Sequence, residues 1–234
     1  MAIRCPGHRL RRHGVLDIVQ WKVVAGWMPE LLSAALLTLQ LTAMSFAVAL
    51  AIGVVVGTLR SRTRWISHVL AAYVEFFRGT PLLVQLFFIY YGLAQVGVVM
   101  PGLVAAVIGL GLNGGAYISE IVRGTLAGID RGQYDAAHAL GMNWFTTLLW
   151  VVMPQALRVA TPPLVNSFSS MLKDTSLVSL LAITEMMNIA NQVYSRTFRA
   201  FEIFSVVALM YFAMTLVISI ASRALERRLA LGKA

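Results

Sequence analysis

Charge is scarce in this chain. Only 12% of its 234 residues are Asp, Glu, Lys or Arg, against 59% hydrophobic residues and a mean hydropathy of +0.76. A soluble domain carries about 25% charged and about 45–50% apolar residues. A globule of this size cannot hide such an excess, because surface-to-volume scaling leaves too much of it exposed. An ordinary cytoplasmic enzyme, a disordered chain and a secreted disulfide module are excluded, and an integral membrane protein is the default. Cysteine is nearly absent. Cys5 alone allows neither an intrachain disulfide nor a Cys-based metal site. The four His are scattered, with no His-x-x-x-His spacing, and give no metal site. There is no Gly-rich loop closing on Lys-Ser/Thr, so the sequence offers no ATP site. Gly-x-Ser-x-Gly and His-Glu-x-x-His are missing too, which argues against a membrane hydrolase.

The charges that are present are mostly basic, with a net charge of +9. Sixteen of the 19 basic residues are Arg, and most stand at the borders of apolar runs. That placement signals membrane topology rather than a nucleic-acid face. A spanning helix needs roughly 20 apolar residues to cross about 30 Å. Five runs meet this test, at about 31–59, 67–96, 101–122, 162–182 and 204–222. The second and third are separated at Gly97 and Pro101. The fold class expected is an all-α integral membrane protein with five spans. Its transmembrane domain covers 29–225, after a tail with an interfacial helix (1–28) and before a short tail (226–234). The Arg-rich start runs into Asp17 and Lys22, which favours an interfacial amphipathic helix over Val15–Trp27 rather than a signal peptide. Five spans put the termini on opposite sides. With the C-terminus in the cytoplasm, ten basic residues lie inside, among them Arg60, Arg123, Arg131, Arg158 and Arg223. Seven lie outside: Arg196, Arg199 and five in the N-terminal tail. The positive-inside rule therefore favours a cytoplasmic C-terminus, with the tail against it.

Residues 132–154, GQYDAAHALGMNWFTTLLWVVMP, do not span. Tyr134, Ala137 and Leu140 stand at i, i+3 and i+6, which predicts a short amphipathic helix ended by Gly141. A second short helix, Trp144–Val152, is expected to end before Pro154. Two short helices on the cytoplasmic side can act as a lever docked in a partner's groove, although spacing alone fits an ordinary interfacial loop equally well. Asp135-Ala136-Ala137, then Gly141, then Val151-Val152-Met153-Pro154 resemble the EAA loop of bacterial ABC importer permeases. That pattern is Glu-Ala-Ala, three residues, Gly, nine residues and Ile-x-Leu-Pro. The gaps match, with Asp for Glu, Val for Ile and Met for Leu. Phe77–Leu83, Tyr90–Leu93, Asn113–Arg123 and Leu172–Leu177 are similar to the polar amino-acid branch of that family. The resemblance runs from about Pro29 to the C-terminus.

It implies a type I ABC importer transmembrane fold with cytoplasmic coupling helices, in a bacterial inner membrane. It also implies a substrate delivered by a periplasmic or extracellular binding protein, and a second permease subunit, identical or paralogous. Asp135, Ala136, Ala137, Gly141 and Pro154 would then belong to the surface that meets a cytoplasmic ATPase dimer. ATP and Mg would be used by that partner, with no cofactor on this chain and no nucleic acid. Small Ala side chains permit close approach, and Gly141 permits the turn beyond.

Ionisable groups within spans are costly, about 2.5–3.5 kcal/mol each, so a site is the default reading. At 1.5 Å per residue, Arg78, Asn113, Lys173 and Asp174 all fall ~16–18 Å from a membrane face, near the midplane. A free amino acid brings a carboxylate and an ammonium group, and a low-dielectric site needs opposite charges for them. Arg78 can grip a carboxylate through two parallel hydrogen bonds, Asp174 can accept from an ammonium, and Asn113 can serve either. Ser176 and Glu185 complete the candidate substrate-binding set. Lys173 points about 100° from Asp174 on a helix. Gly79, Pro81, Gly114 and Gly115 could break the helices and expose backbone groups there. The competing arrangement pairs Arg78 with Asp174, or with Glu75 one turn below. Glu120 and Arg123 read as a helix-end pair. Glu185, near the outer end of the fourth span, would meet a cationic side chain or water. Ser-x-x-x-Ala spacings in the first span predict close helix packing. The expected function is an ATP-driven permease subunit for a polar, cationic amino acid or derivative, working by alternating access. Alternatives are an ion-coupled secondary transporter with Asp174 as coupling carboxylate, and a non-transporting scaffold or channel subunit.

Overall fold

The computed structural model describes residues 21–62, 64–181 and 183–230. The Arg-rich tail, the start of the expected interfacial helix and the last four residues lie outside these. Among the described residues the regular structure is all helical. A short α1 (Trp21–Gly26) leads into α2 (Met28–Arg62). Next are α3 (Arg64–Gly79) and α4 (Leu82–Phe87), the latter prolonged through a π turn at Phe88–Gly92 to Leu93–Gln95. Then come α5 (Gly102–Ala127), α6 (Arg131–Ala139) and α7 (Trp144–Thr147). A π turn at Leu148–Val152 joins α7 to α8 (Met153–Asp174), and a 3-10 stretch (Thr175–Leu181) follows. The chain ends with α9 (Met186–Thr197) and α10 (Ala200–Ala230).

Four helical stretches are long and apolar enough to cross a membrane: Met28–Ser61, Gly102–Ala127, Trp144–Leu181 and Ala200–Ala224. The expected second span is different. Trp65–Gly79 and Leu82–Gln95 pass the test only as a pair, bent by 105°. Pro81 is the cause, since it supplies no N–H to continue the ladder. The fourth span also differs from expectation. The expected helix end before Pro154 is absent, because α7, the π turn, α8 and the 3-10 stretch form one 38-residue stretch. Pro154 directly follows the π turn, and the helix carries on past its missing N–H. Gln155 Nε2 donates to Val151 O at 2.9 Å across the same turn. The coupling segment is therefore continuous with a span rather than hinged to it.

The interior is a chain of small apolar clusters along the bundle. Leu31, Met186, Val193 and Ile203 pack at one end. Leu41, Leu86, Leu110 and Val178 follow. Ala49, Ile118 and Met171 come next, and Leu126, Val152 and Ala156 close the coupling-segment end. The α2–α5 seam is held tight by small residues, as the Ser-x-x-x-Ala spacing predicts. Ser45 and Ala49 are fully buried there, and a Cβ on Gly57 would lie 2.7 Å from Ser119 O. Gly114 and Gly115 belong to this packing and do not break α5, contrary to expectation. A Cβ on Gly115 would meet Ile52 at 2.8 Å. Glycine here supplies closeness of approach, not a bend.

Candidate functional site

The break at Pro81 builds the centre of the molecule. In a continuous helix the residue at 81 would donate to Phe77 O, and Pro cannot. In a membrane that carbonyl needs an internal partner. It has two: Gln85 Nε2 at 2.9 Å and Asn113 Nδ2 at 3.0 Å. Asn113 Nδ2 also donates to Gln85 Oε1 at 3.0 Å. Gln85 Nε2 bonds the Thr80 hydroxyl oxygen and lies 3.1 Å from Thr80 O. The two amides thus stitch the bent second span to α5. Gln85 is buried, and sequence reasoning missed it. Its signal was its place four residues beyond a proline inside an apolar run.

A cavity of about 440 Å³ opens beside this knot, between α5 and α8. Asn113, Tyr117, Asn166, Ser167, Ser170 and Asp174 give it polar walls, with Leu82, Leu110, Ile118 and Met171 as apolar ones. Asp174 is the one ionisable carboxylate among the lining residues, and it forms no salt bridge within the described chain. Asn166, Ser170 and Asp174 stand four residues apart on α8, a polar stripe facing one way in a membrane helix. Only its last member was anticipated.

The other expected site residues fall elsewhere. Arg78 lies over the Tyr117 ring, 5.3 Å from its centroid, at the edge of the cavity. It forms an ion pair with neither Asp174 nor Glu75. Lys173 is exposed on another side of α8, and Ser176 sits in the 3-10 stretch, so neither lines the cavity. Glu185 is fully buried and has no salt bridge among the described residues. It caps α9, accepting from Met187 N at 2.9 Å and Asn188 N at 2.7 Å, with the Tyr211 hydroxyl donating at 3.3 Å. A helix start buried without a cap would leave orphan N–H groups, and Glu185 answers that need. Glu120 pairs with Arg123 as expected, and also with Arg60.

The coupling segment is built from local signals. Asp130 caps α6 by accepting from Gly132 N at 2.6 Å. Gly141 takes φ +75°, and Met142 N–H closes on Ala137 O at 3.0 Å. Tyr134 packs on the Leu126–Val152–Ala156 cluster, and burial pushes its hydroxyl pKa up from the ordinary value. Ala137 is also buried, so it packs inward within this chain rather than outward. Asp135, Ala136, Gly141 and Pro154 are exposed. Leu140 departs from the expected inward stripe and is 81% exposed. Steps of three residues drift by about 60°, so Leu140 lies about 120° from Tyr134 and leaves the buried face.

A membrane-spanning bundle with a polar cavity at a broken helix, and a capped helix presented beside a span, defines a transport subunit. A profile of the family described as "Binding-protein-dependent transport system inner membrane component" matches residues 49–231. The chain belongs to that family. It is 37% identical over 212 residues to the glutamine transport system permease protein GlnP of Escherichia coli K12, covering 89% of this chain and 97% of that one. It is 36% identical over 214 residues to the L-cystine transport system permease protein TcyB of Bacillus subtilis, covering 90% and 92%. A solved amino acid ABC transporter with histidines superposes with a TM-score of 0.83 at 35% identity, covering 90% of this chain and 99% of that one. The inward-facing MetNI methionine transporter shares the fold, with a TM-score of 0.77 at 21% identity over 87% and 98%. The fold is that of a type I ABC importer transmembrane domain, and the chain is an inner-membrane transport subunit rather than an enzyme.

Proposed function

We propose that this chain is the permease of an ATP-driven amino-acid importer whose substrate is polar and carries a cationic group. Relatives named as glutamine and cystine permeases support the amino-acid class. The observation that carries the cationic reading is Asp174, a carboxylate with no salt bridge in the wall of the central cavity. A half-buried charge in such a wall calls for an opposite charge from the ligand. Asn113 spends its amide hydrogens on Phe77 O and Gln85, which leaves its oxygen to accept from an ammonium. Arg78, held by Tyr117 at the edge, grips the substrate carboxylate. Asp135, Ala136, Gly141 and the exposed Leu140 face a cytoplasmic ATPase dimer, on which ATP and Mg are used. Closure of that dimer moves α6. Because α7 runs without a break into α8, the motion reaches the helix that carries Asp174. A binding protein delivers substrate to the opposite side, and a second permease subunit completes the pathway. The orientation that fits places the C-terminus in the cytoplasm.

Replacing Asp174 tests the site. In proteoliposomes holding the complete transporter, Asp174→Asn should abolish uptake of a cationic amino acid. ATP hydrolysis stimulated by the loaded binding protein should survive. Unchanged uptake kinetics would remove Asp174 from the pathway.

A further inference from the structure

A second cavity, also of about 440 Å³, lies at the coupling-segment end of the molecule. Its walls come from four places. Arg60 stands at the end of α2, Arg123 near the end of α5, and Tyr134 and Trp144 on the coupling segment. Ser67 of α3 adds a hydroxyl. Arg60 Nη1 donates to Glu120 Oε1, and Arg123 Nη2 donates to Glu120 Oε2 at 2.7 Å. Two guanidinium groups therefore share one carboxylate, and among the described residues one positive charge in the wall has no counterpart there. No carboxylate is among the lining residues themselves. The Nε atoms of both Arg60 and Arg123 are buried and have no acceptor among the described residues. Glu120 takes one Nη bond from each Arg, and a guanidinium has five donors, so others remain for an anion in the cavity. The Tyr134 hydroxyl in the cavity wall is a further donor.

We propose that this cavity binds a phosphate oxyanion, either free or as the headgroup of an anionic phospholipid, between Arg60, Arg123 and the coupling segment. The guanidinium fork matches phosphate oxygens geometrically. Basic pockets between spans, at the membrane face, suit such headgroups. The bound anion fills the deficit left by Glu120. It also ties the ends of α2 and α5 to Tyr134 and Trp144, and so to the segment that moves in coupling.

The test uses the complete transporter in nanodiscs, with two probes. One is phosphatidylglycerol, counted as retained lipid by native mass spectrometry against phosphatidylcholine discs. The other is inorganic phosphate, read as a rise in melting temperature over chloride at equal ionic strength. Ser67→Glu places a negative charge in the cavity, where it competes with an anion, and keeps Arg60, Glu120 and Arg123 themselves unchanged. Arg123→Gln removes one cation. Each should weaken the response about fivefold. Lipid retention without a phosphate response identifies the headgroup, and a phosphate response in phosphatidylcholine identifies the free anion. Either supports the site when Ser67→Glu weakens it. Equal behaviour of wild type and Ser67→Glu with both probes overturns the proposal. If Arg123→Gln does not assemble, Ser67→Glu decides alone.

Discussion

Phe77 O shows how one lost hydrogen bond organises the centre of the protein. Pro81 removes its helical partner, and Gln85 and Asn113 replace it. Gln85→Leu keeps the volume roughly but orphans Phe77 O in part and removes the acceptor of Asn113. An unsatisfied buried group costs about 1–3 kcal/mol. Gln85→Leu should therefore lower the melting temperature of the purified transporter and slow uptake, while its ATPase subunits still bind. Full stability would mean that the amide knot contributes nothing. Glu185 gives the contrasting case. It was expected at a substrate site and is a buried helix cap instead. Glu185→Gln keeps one acceptor oxygen and should leave substrate preference unchanged. Glu185→Ala should cost about 0.5–2 kcal/mol, the usual loss for an N-cap. Substrate competition profiles and thermal unfolding of the two variants separate a cap from a pocket residue.

At the scale of elements, α6 and the α2–α5 seam make different demands. Gly141 ends α6 with a positive φ, and a Cβ there meets nothing within 4 Å. Gly141→Asp should therefore insert and fold, at a strain of about 1–2 kcal/mol, but uncouple ATP hydrolysis from uptake. Leu140→Ser, on the exposed face, should uncouple without any loss of stability. Normal transport by both would sink the docking role of α6. On α5 the opposite holds for Gly111, whose added Cβ would lie 2.7 Å from Val48 Cγ1. Gly111→Leu overpacks the seam and should cost at least about 1–3 kcal/mol. Gly124→Ala on the same helix meets open space and should be neutral or slightly stabilising. Thermal unfolding in detergent distinguishes them directly.

For the whole molecule, the energy source and the orientation are the testable properties. Uptake into vesicles should require ATP and persist when ion gradients are collapsed. Dependence on the gradient instead would favour Asp174 as a coupling carboxylate of a secondary transporter. After Cys5→Ser, a single cysteine at position 141 should react with reagents applied from the cytoplasmic side. A cysteine at position 198, which lies between α9 and α10, should react from the opposite side. The reverse pattern would invert the proposed topology.

The amino-acid sequence by itself determined the membrane class, the long apolar helices, the glycine turn that ends α6, and the pairing of Glu120 with Arg123. These follow from composition, run length and spacings of a few residues, which act locally. Asp174 was legible for the same reason, since a carboxylate in an apolar run stands out wherever the helix goes. Only the tertiary structure decided what such residues meet. It joined Gln85 to Asn113 across 28 positions, and set Arg60 beside Glu120 across 60. It turned Leu140 outward and Ala137 inward, and withdrew Lys173, Ser176 and Glu185 from the cavity. It also carried one helix straight through Pro154 and made Pro81 the corner of another. A proline removes the same N–H at either place, and only the neighbours that satisfy the freed carbonyl decide whether the chain bends.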